Sequence, residues 1–255
     1  MSKSKVICIF AGAALLVFAG YMFITQLNDY LKSTRIYDYA AKEYISVNSD
    51  EGFTEEKPDI EVPDWINLVE VDIQGLCEEN EDIAGWIYFE NVDISYPVLY
   101  SEDTSKYLQM AYNGVKSSAG SIFMEGNNNK DFSDAHTILY GHNMKNLSMF
   151  GRLRYYVIDA DFITDHKYFQ IITEEAKYRY KIISYKVVPE ESAIYTVYRE
   201  GSSEFPDFVK RIIQRGNYVD TEENIEQDDH LITLSTCYND DRLVVTAVRC
   251  DECDN

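Results

Sequence analysis

Basic residues are scarce in this chain: its 255 residues carry 23 Lys and Arg against 44 Asp and Glu, a formal charge of −21. Nucleic-acid binding rests on neutralising phosphates with Lys and Arg, so that balance argues against a nucleic-acid partner. It also argues against docking on anionic lipid and leaves a solvated acidic surface as the simpler reading. Metal signals are equally thin. Cys250-Asp251-Glu252-Cys253 is a single CxxC without a second pair, which is weak evidence for zinc. The acidic stretch holding Asp220, Glu222, Glu223, Glu226, Asp228 and Asp229 lacks EF-hand spacing and reads as solvated surface.

What is present begins with one long apolar run. Nineteen uncharged residues, Val6 to Ile24, follow Lys3 and Lys5. At about 1.5 Å per helical residue the run covers roughly 28 Å, one hydrocarbon core. The lysines predict residues 1–5 as a cytoplasmic tail, 6–24 as a single-pass signal-anchor and the rest as external, at the cell membrane. A cleaved signal peptide is the rival, but no small-x-small cleavage pattern follows the run. Residues 25–60 are polar without a sustained period and read as a stalk, punctuated by Gly52 and Pro58. A helix continuing through Tyr44 is left open.

Residues 61–255 are long enough for one domain with a sizeable core. Leu68, Val71 and Leu76 suggest a short helix, and Ile83–Phe89 reads as the first strand. Val92–Leu99 returns, with Pro97 marking an edge or bulge. Further strands are expected at Ser121–Met124, Thr137–Tyr140, Tyr168–Thr173, Tyr178–Val188, Leu231–Cys237 and Leu243–Val248. Phe150–Ile163 has a helical look. Phe205, Phe208, Val209, Ile212 and Ile213 recur at helical spacing and make a core face. Many short strands between turn signals argue for a barrel or sandwich.

Cys8 lies in the apolar run, and Cys77 reads as a small core residue. Cys250 and Cys253 are open to either a disulfide or two thiols. Cys237 stands apart, where a buried strand runs out into Tyr238-Asn239-Asp240-Asp241. Arg242 follows that loop, and a second strand-like run delivers His142. A thiol has a pKa of about 8.5 and needs a positive group beside it to act as a thiolate at neutral pH. Imidazolium and guanidinium both serve. The competing reading is a buried structural thiol. Of the other histidines, His136 reads as exposed in a polar turn and His166 as a loop residue; His230 is the rival to His142.

Thr233-Leu234-Ser235-Thr236-Cys237 resembles the TLxTC signature of sortases, and Arg242-Leu243-Val244-Val245 resembles the arginine-led strand after it. Ser118–Met124, Thr137–Lys145 and Ser148–Gly151 are similar to family sequence around the histidine. The helix near Phe205 fits class B sortases best. The resemblance covers roughly Ile83 to Arg249. Leu147 departs from it, since a small residue such as Gly is expected there, and the loop from Cys237 to Arg242 is short.

The resemblance implies a mainly β fold, a sortase-like barrel of about eight strands with peripheral helices, and a cysteine transpeptidase. It implies that Cys237 attacks the carbonyl of a threonine in the C-terminal sorting signal of an exported protein. His142 then protonates the leaving amine and deprotonates the incoming one, while Arg242 stabilises the oxyanion. Peptidoglycan or its lipid-linked precursor supplies the second amine, and the chemistry requires no cofactor; metal dependence is open, with none expected. Ser235, Thr236, Asn143 and Tyr238 are the candidate substrate contacts. Two rivals remain: a pilin-polymerising sortase that uses a pilin lysine, and a membrane-anchored binding module with a structural cysteine.

Overall fold

Alternating apolar runs and turn residues translate directly into the element order. In the computed structural model the described residues are 3–47, 63–213, 216–220 and 225–254. Helix α1 (Lys3–Tyr44) is followed by strand β1 (Ile45–Val47), which pairs antiparallel with β2 (Val69–Val71). Helix α2 (Ile73–Glu79) leads to β3 (Ile83–Phe89), β4 (Ser95–Leu99), β5 (Ile122–Met124) and β6 (His136–Tyr140). Two short helices, α3 (Tyr155–Ile158) and α4 (Phe162–Asp165), precede β7 (Tyr168–Ile172) and the long β8 (Ala176–Val188). Helix α5 (Phe205–Ile213) and β9 (Tyr218–Val219) come before the final hairpin, β10 (Leu231–Tyr238) and β11 (Asp241–Asp254).

Eight strands form a closed barrel, as the resemblance implied. Their hydrogen-bonded order is β11-β10-β6-β5-β4-β3-β7-β8, and β8 pairs back onto β11, leaving β9 as an addition to β8. Closure removes the sheet edges that would otherwise expose unpaired amides. Trp86, Phe89, Phe169 and Tyr180 are fully buried in the core. Pro97 sits one residue before the β4–β5 ladder begins at Val98, where its missing N–H loses no rung. Outside the barrel, Phe205, Phe208 and Val209 of α5 pack with Ile183, Leu231 and Val244 in a second cluster. Ile212 and Ile213 lie outside the described side chains.

Several expectations are corrected. The segment read as a stalk contains packed structure: Ser33, Tyr37 and Ala40, at helical spacing on α1, are buried. Ser33 Oγ lies 2.8 Å from Ser117 Oγ, and the Tyr37 hydroxyl donates to Gly120 O at 2.5 Å. The expected helix over 150–163 is broken. Asp159 is extended and its carboxylate accepts from Asp161 N–H (3.1 Å), a local bond that competes with helix continuation. Asp220, read as solvated, is buried and pairs with Lys181 at 2.9 Å.

Among the described residues no helix is long and apolar enough to cross a membrane. The described side chains begin at Gly12, and the apolar run begins at Val6, so part of the expected span lies outside them. Leu16, Val17 and Phe23 are exposed on α1.

Candidate active site

Strand direction brings the three residues together. β10 runs parallel to β6, with Ser235 opposite Tyr140 as their last pair. Two residues further on each chain stand Cys237 and His142, so both leave the barrel at the same end. β11 returns antiparallel to β10 and places Arg242 directly opposite Cys237. The turn between them has only Asn239 and Asp240 outside the strands, with Asn239 at φ 54°. Asparagine tolerates that left-handed conformation better than most residues. The short loop therefore fixes the Arg242 position rather than leaving it loose.

Cys237 is exposed, which corrects the reading of a buried structural thiol. The half-buried His142 lies 2.7 Å through Nε2 from Leu108 O. A carbonyl only accepts, so Nε2 carries the hydrogen and Nδ1 is the nitrogen left with a lone pair. The Arg242 guanidinium pairs with Glu190 at 2.8 Å. Leu147, where a small residue was expected, has φ 69°, and Met149 has φ 52°. A glycine would adopt either conformation without strain.

Cys237, His142 and Arg242 line one cleft of about 750 Å³, together with Ser235, Thr236, Tyr140 and Tyr195. Ser235 Oγ is 2.9 Å from the Tyr195 hydroxyl, and Tyr140 donates to Glu125 at 3.0 Å. Burial pushes both phenols up, so they act as neutral hydroxyls. Thr236 Oγ1 is buried without a hydrogen-bond partner, a polar atom unsatisfied beside the thiol. Tyr238 is placed elsewhere: it packs against the barrel core, because alternation turns it away from Cys237. Asn143 reaches Cys237 O with Nδ2 at 2.6 Å.

Leu108, Glu190 and Tyr195 were not singled out in the sequence. They sit in connections between strands, where no periodicity marks them; the aromatic in Ala193-Ile194-Tyr195 was the one available signal. The remaining histidines stand apart from the cleft's lining. His136, expected to be exposed, is fully buried as the first residue of β6, with Thr196 O and Thr233 Oγ1 each 2.8 Å from its ring nitrogens. His166 stacks on Phe162, and His230 meets Asp134 O at 3.0 Å. Cys250 and Cys253 are thiols rather than a disulfide, and burial pushes Cys250 up to about 11.

Residues 87–250 match the sortase domain model. The chain belongs to the sortase family. It is 34% identical over 180 residues to sortase B of Listeria monocytogenes, covering 68% of this chain and 72% of that protein. Sortase B of Staphylococcus aureus is 30% identical over 165 residues, 64% of this chain and 66% of that one. The crystal structure of Bacillus anthracis sortase B in complex with AAEK1 superposes with a TM-score of 0.69 at 27% identity, covering 88% of this chain and 98% of that one. These relatives place the chain in class B and make it a cysteine transpeptidase.

Proposed function

We propose that the chain is a membrane-anchored class B sortase that cleaves a C-terminal sorting signal after threonine and transfers the protein to an amine of peptidoglycan or its lipid-linked precursor. The observation that carries this reading is the exposed Cys237 thiol beside Arg242, sharing one cleft with His142. His142 takes the Cys237 thiol's proton, and the thiolate attacks the threonine carbonyl, forming a C–S bond. The scissile C–N bond breaks as His142 gives its proton to the leaving amine. An incoming amine then attacks the thioester, loses a proton to His142 and releases the thiolate. Arg242 stabilises the oxyanion in both halves. Ser235 and Thr236 line the same cleft, which supports them as contacts for the signal.

Anchoring is supported by the charge-flanked run Val6–Ile24 and by the exposed apolar side chains of α1. Membrane fractionation of the full-length chain tests it; a shortened, secreted product would exclude an anchor. The activity is tested with quenched peptides carrying NPxTx, SPxTG and LPxTG-type signals, beside Cys237→Ala. Cleavage after threonine, lost in the variant, is expected. Failure to cleave any signal, with Cys237 also inert to alkylation, would overturn the reading.

A further inference from the structure

One contact between the His142 segment and the Cys237 strand takes no part in the steps above. Beyond the Ser235–Tyr140 pair the β6–β10 ladder has one more main-chain rung, Gly141 N–H to Ser235 O at 3.1 Å. Cys237 O is met instead by a side chain, Asn143 Nδ2, at 2.6 Å. Asn143 Oδ1 in turn accepts from Arg154 Nη2. A guanidinium offers only donors, so Oδ1 is the end of the amide that Arg154 can bind. That sets the amide's orientation and leaves Nδ2 toward Cys237.

Arg154 does more than hold one amide. Its Nη2 also donates to Met144 O at 2.9 Å and its Nε to Gly151 O at 2.8 Å. One planar fork therefore ties together the two ends of the loop that follows His142. That loop contains Leu147 and Met149 in left-handed conformations, which persist only when surrounding contacts hold them. Phe150 N–H, donating to His142 O at 3.1 Å, anchors the loop to the histidine's own main chain.

We infer that Arg154 and Asn143 are positioning residues for the transpeptidase: they add a side-chain rung to the β6–β10 ladder and lock the His142 segment in register with Cys237. This rests on the reading of Cys237 as nucleophile and His142 as its proton partner. The Asn143 amide is engaged at both ends within the protein, so its role is to orient rather than to bind the signal. The rung fixes the Cys237 peptide plane, and the chain of hydrogen bonds sets a guanidinium behind it.

Asn143→Asp is isosteric; it keeps an acceptor for Arg154 and removes the donor to Cys237 O. Arg154→Met keeps the stem and removes the fork. The full chain in detergent is alkylated with iodoacetamide across pH, and the Cys237 peptide is followed by mass. This readout needs no sorting signal, so it reports even if the proposed signal classes are wrong. Both variants are expected to change the Cys237 alkylation rate by about two- to fivefold, as the Cys237 peptide plane loses its rung; Arg154→Met shows the change without the charge that Asn143→Asp adds. On a cleaved peptide, kcat is expected to fall about 10- to 100-fold with KM within about twofold. The double variant is expected to be no slower than the slower single one, as for members of one network. A wild-type profile and kcat in Asn143→Asp would overturn the inference. So would a double variant whose loss equals the product of the single losses.

Discussion

Cys237 and Arg242 face each other as a cross-strand pair, separated only by the tight turn of the β10–β11 hairpin. Directly opposed strand residues have Cβ atoms about 5 Å apart, so Arg242 is set opposite Cys237 by backbone pairing rather than by a mobile loop. Arg242→Lys keeps the charge and loses the planar fork. We expect kcat/KM to fall by about 10² to 10³ in a peptide-cleavage assay, with the thermal midpoint little changed. Activity near the wild-type level would show that charge alone suffices.

Glu190 pairs with the same guanidinium at 2.8 Å through a largely exposed carboxylate. Exposed pairs contribute little to stability, so Glu190→Gln should unfold at nearly the wild-type temperature. Removing the carboxylate leaves the Arg242 charge uncompensated when the oxyanion forms. A rise in kcat/KM of about two- to fivefold is expected at low ionic strength, shrinking as salt screens the pair. A fall would mean that Glu190 orients Arg242 for the reaction.

His136 makes stability depend on pH. Desolvation lowers its folded pKa to about 4, while Thr196 O and the nearby Asp134 oppose the shift. In the unfolded chain the imidazole titrates near its ordinary value of 6.5. Between those values the unfolded state binds the extra proton, so stability present above pH 6.5 is lost as pH falls toward 4. The full loss is on the order of 3 kcal/mol. Thermal midpoints from pH 7.5 to 5 should drop more steeply for the wild type than for His136→Gln; parallel curves would refute the assignment.

Tyr37 docks α1 on the barrel through its hydroxyl, bonded to Gly120 O and 3.0 Å from Ser121 Oγ. Tyr37→Phe leaves a buried carbonyl without its donor, at a cost of about 1–3 kcal/mol. Thermal denaturation should show a midpoint lower by several degrees; an unchanged midpoint would indicate that α1 does not stabilise the barrel.

The strands were legible because local apolar runs set them: Ile83–Phe89 is β3 residue for residue, and the expected run from Leu231 is β10. The Phe150–Ile163 reading failed where the Asp159 carboxylate accepted from the Asp161 amide two residues on, since a helical hydrophobic pattern does not register that competition. His136 failed for a related reason: its short-range surroundings are polar, yet β6 carries it under α5, against Phe208.

By itself the sequence determined the strand-forming segments and the chemical types at Cys237, His142 and Arg242, because short runs and side-chain identity are local properties. Tertiary structure alone decided that Leu108 O binds His142, across 34 residues, and that Asn143 meets Cys237 O, across 94. It likewise decided that α1 packs on the barrel and that Glu190 holds Arg242. Each of these depends on how segments distant in the chain meet once the barrel closes, and no local period or spacing encodes that meeting.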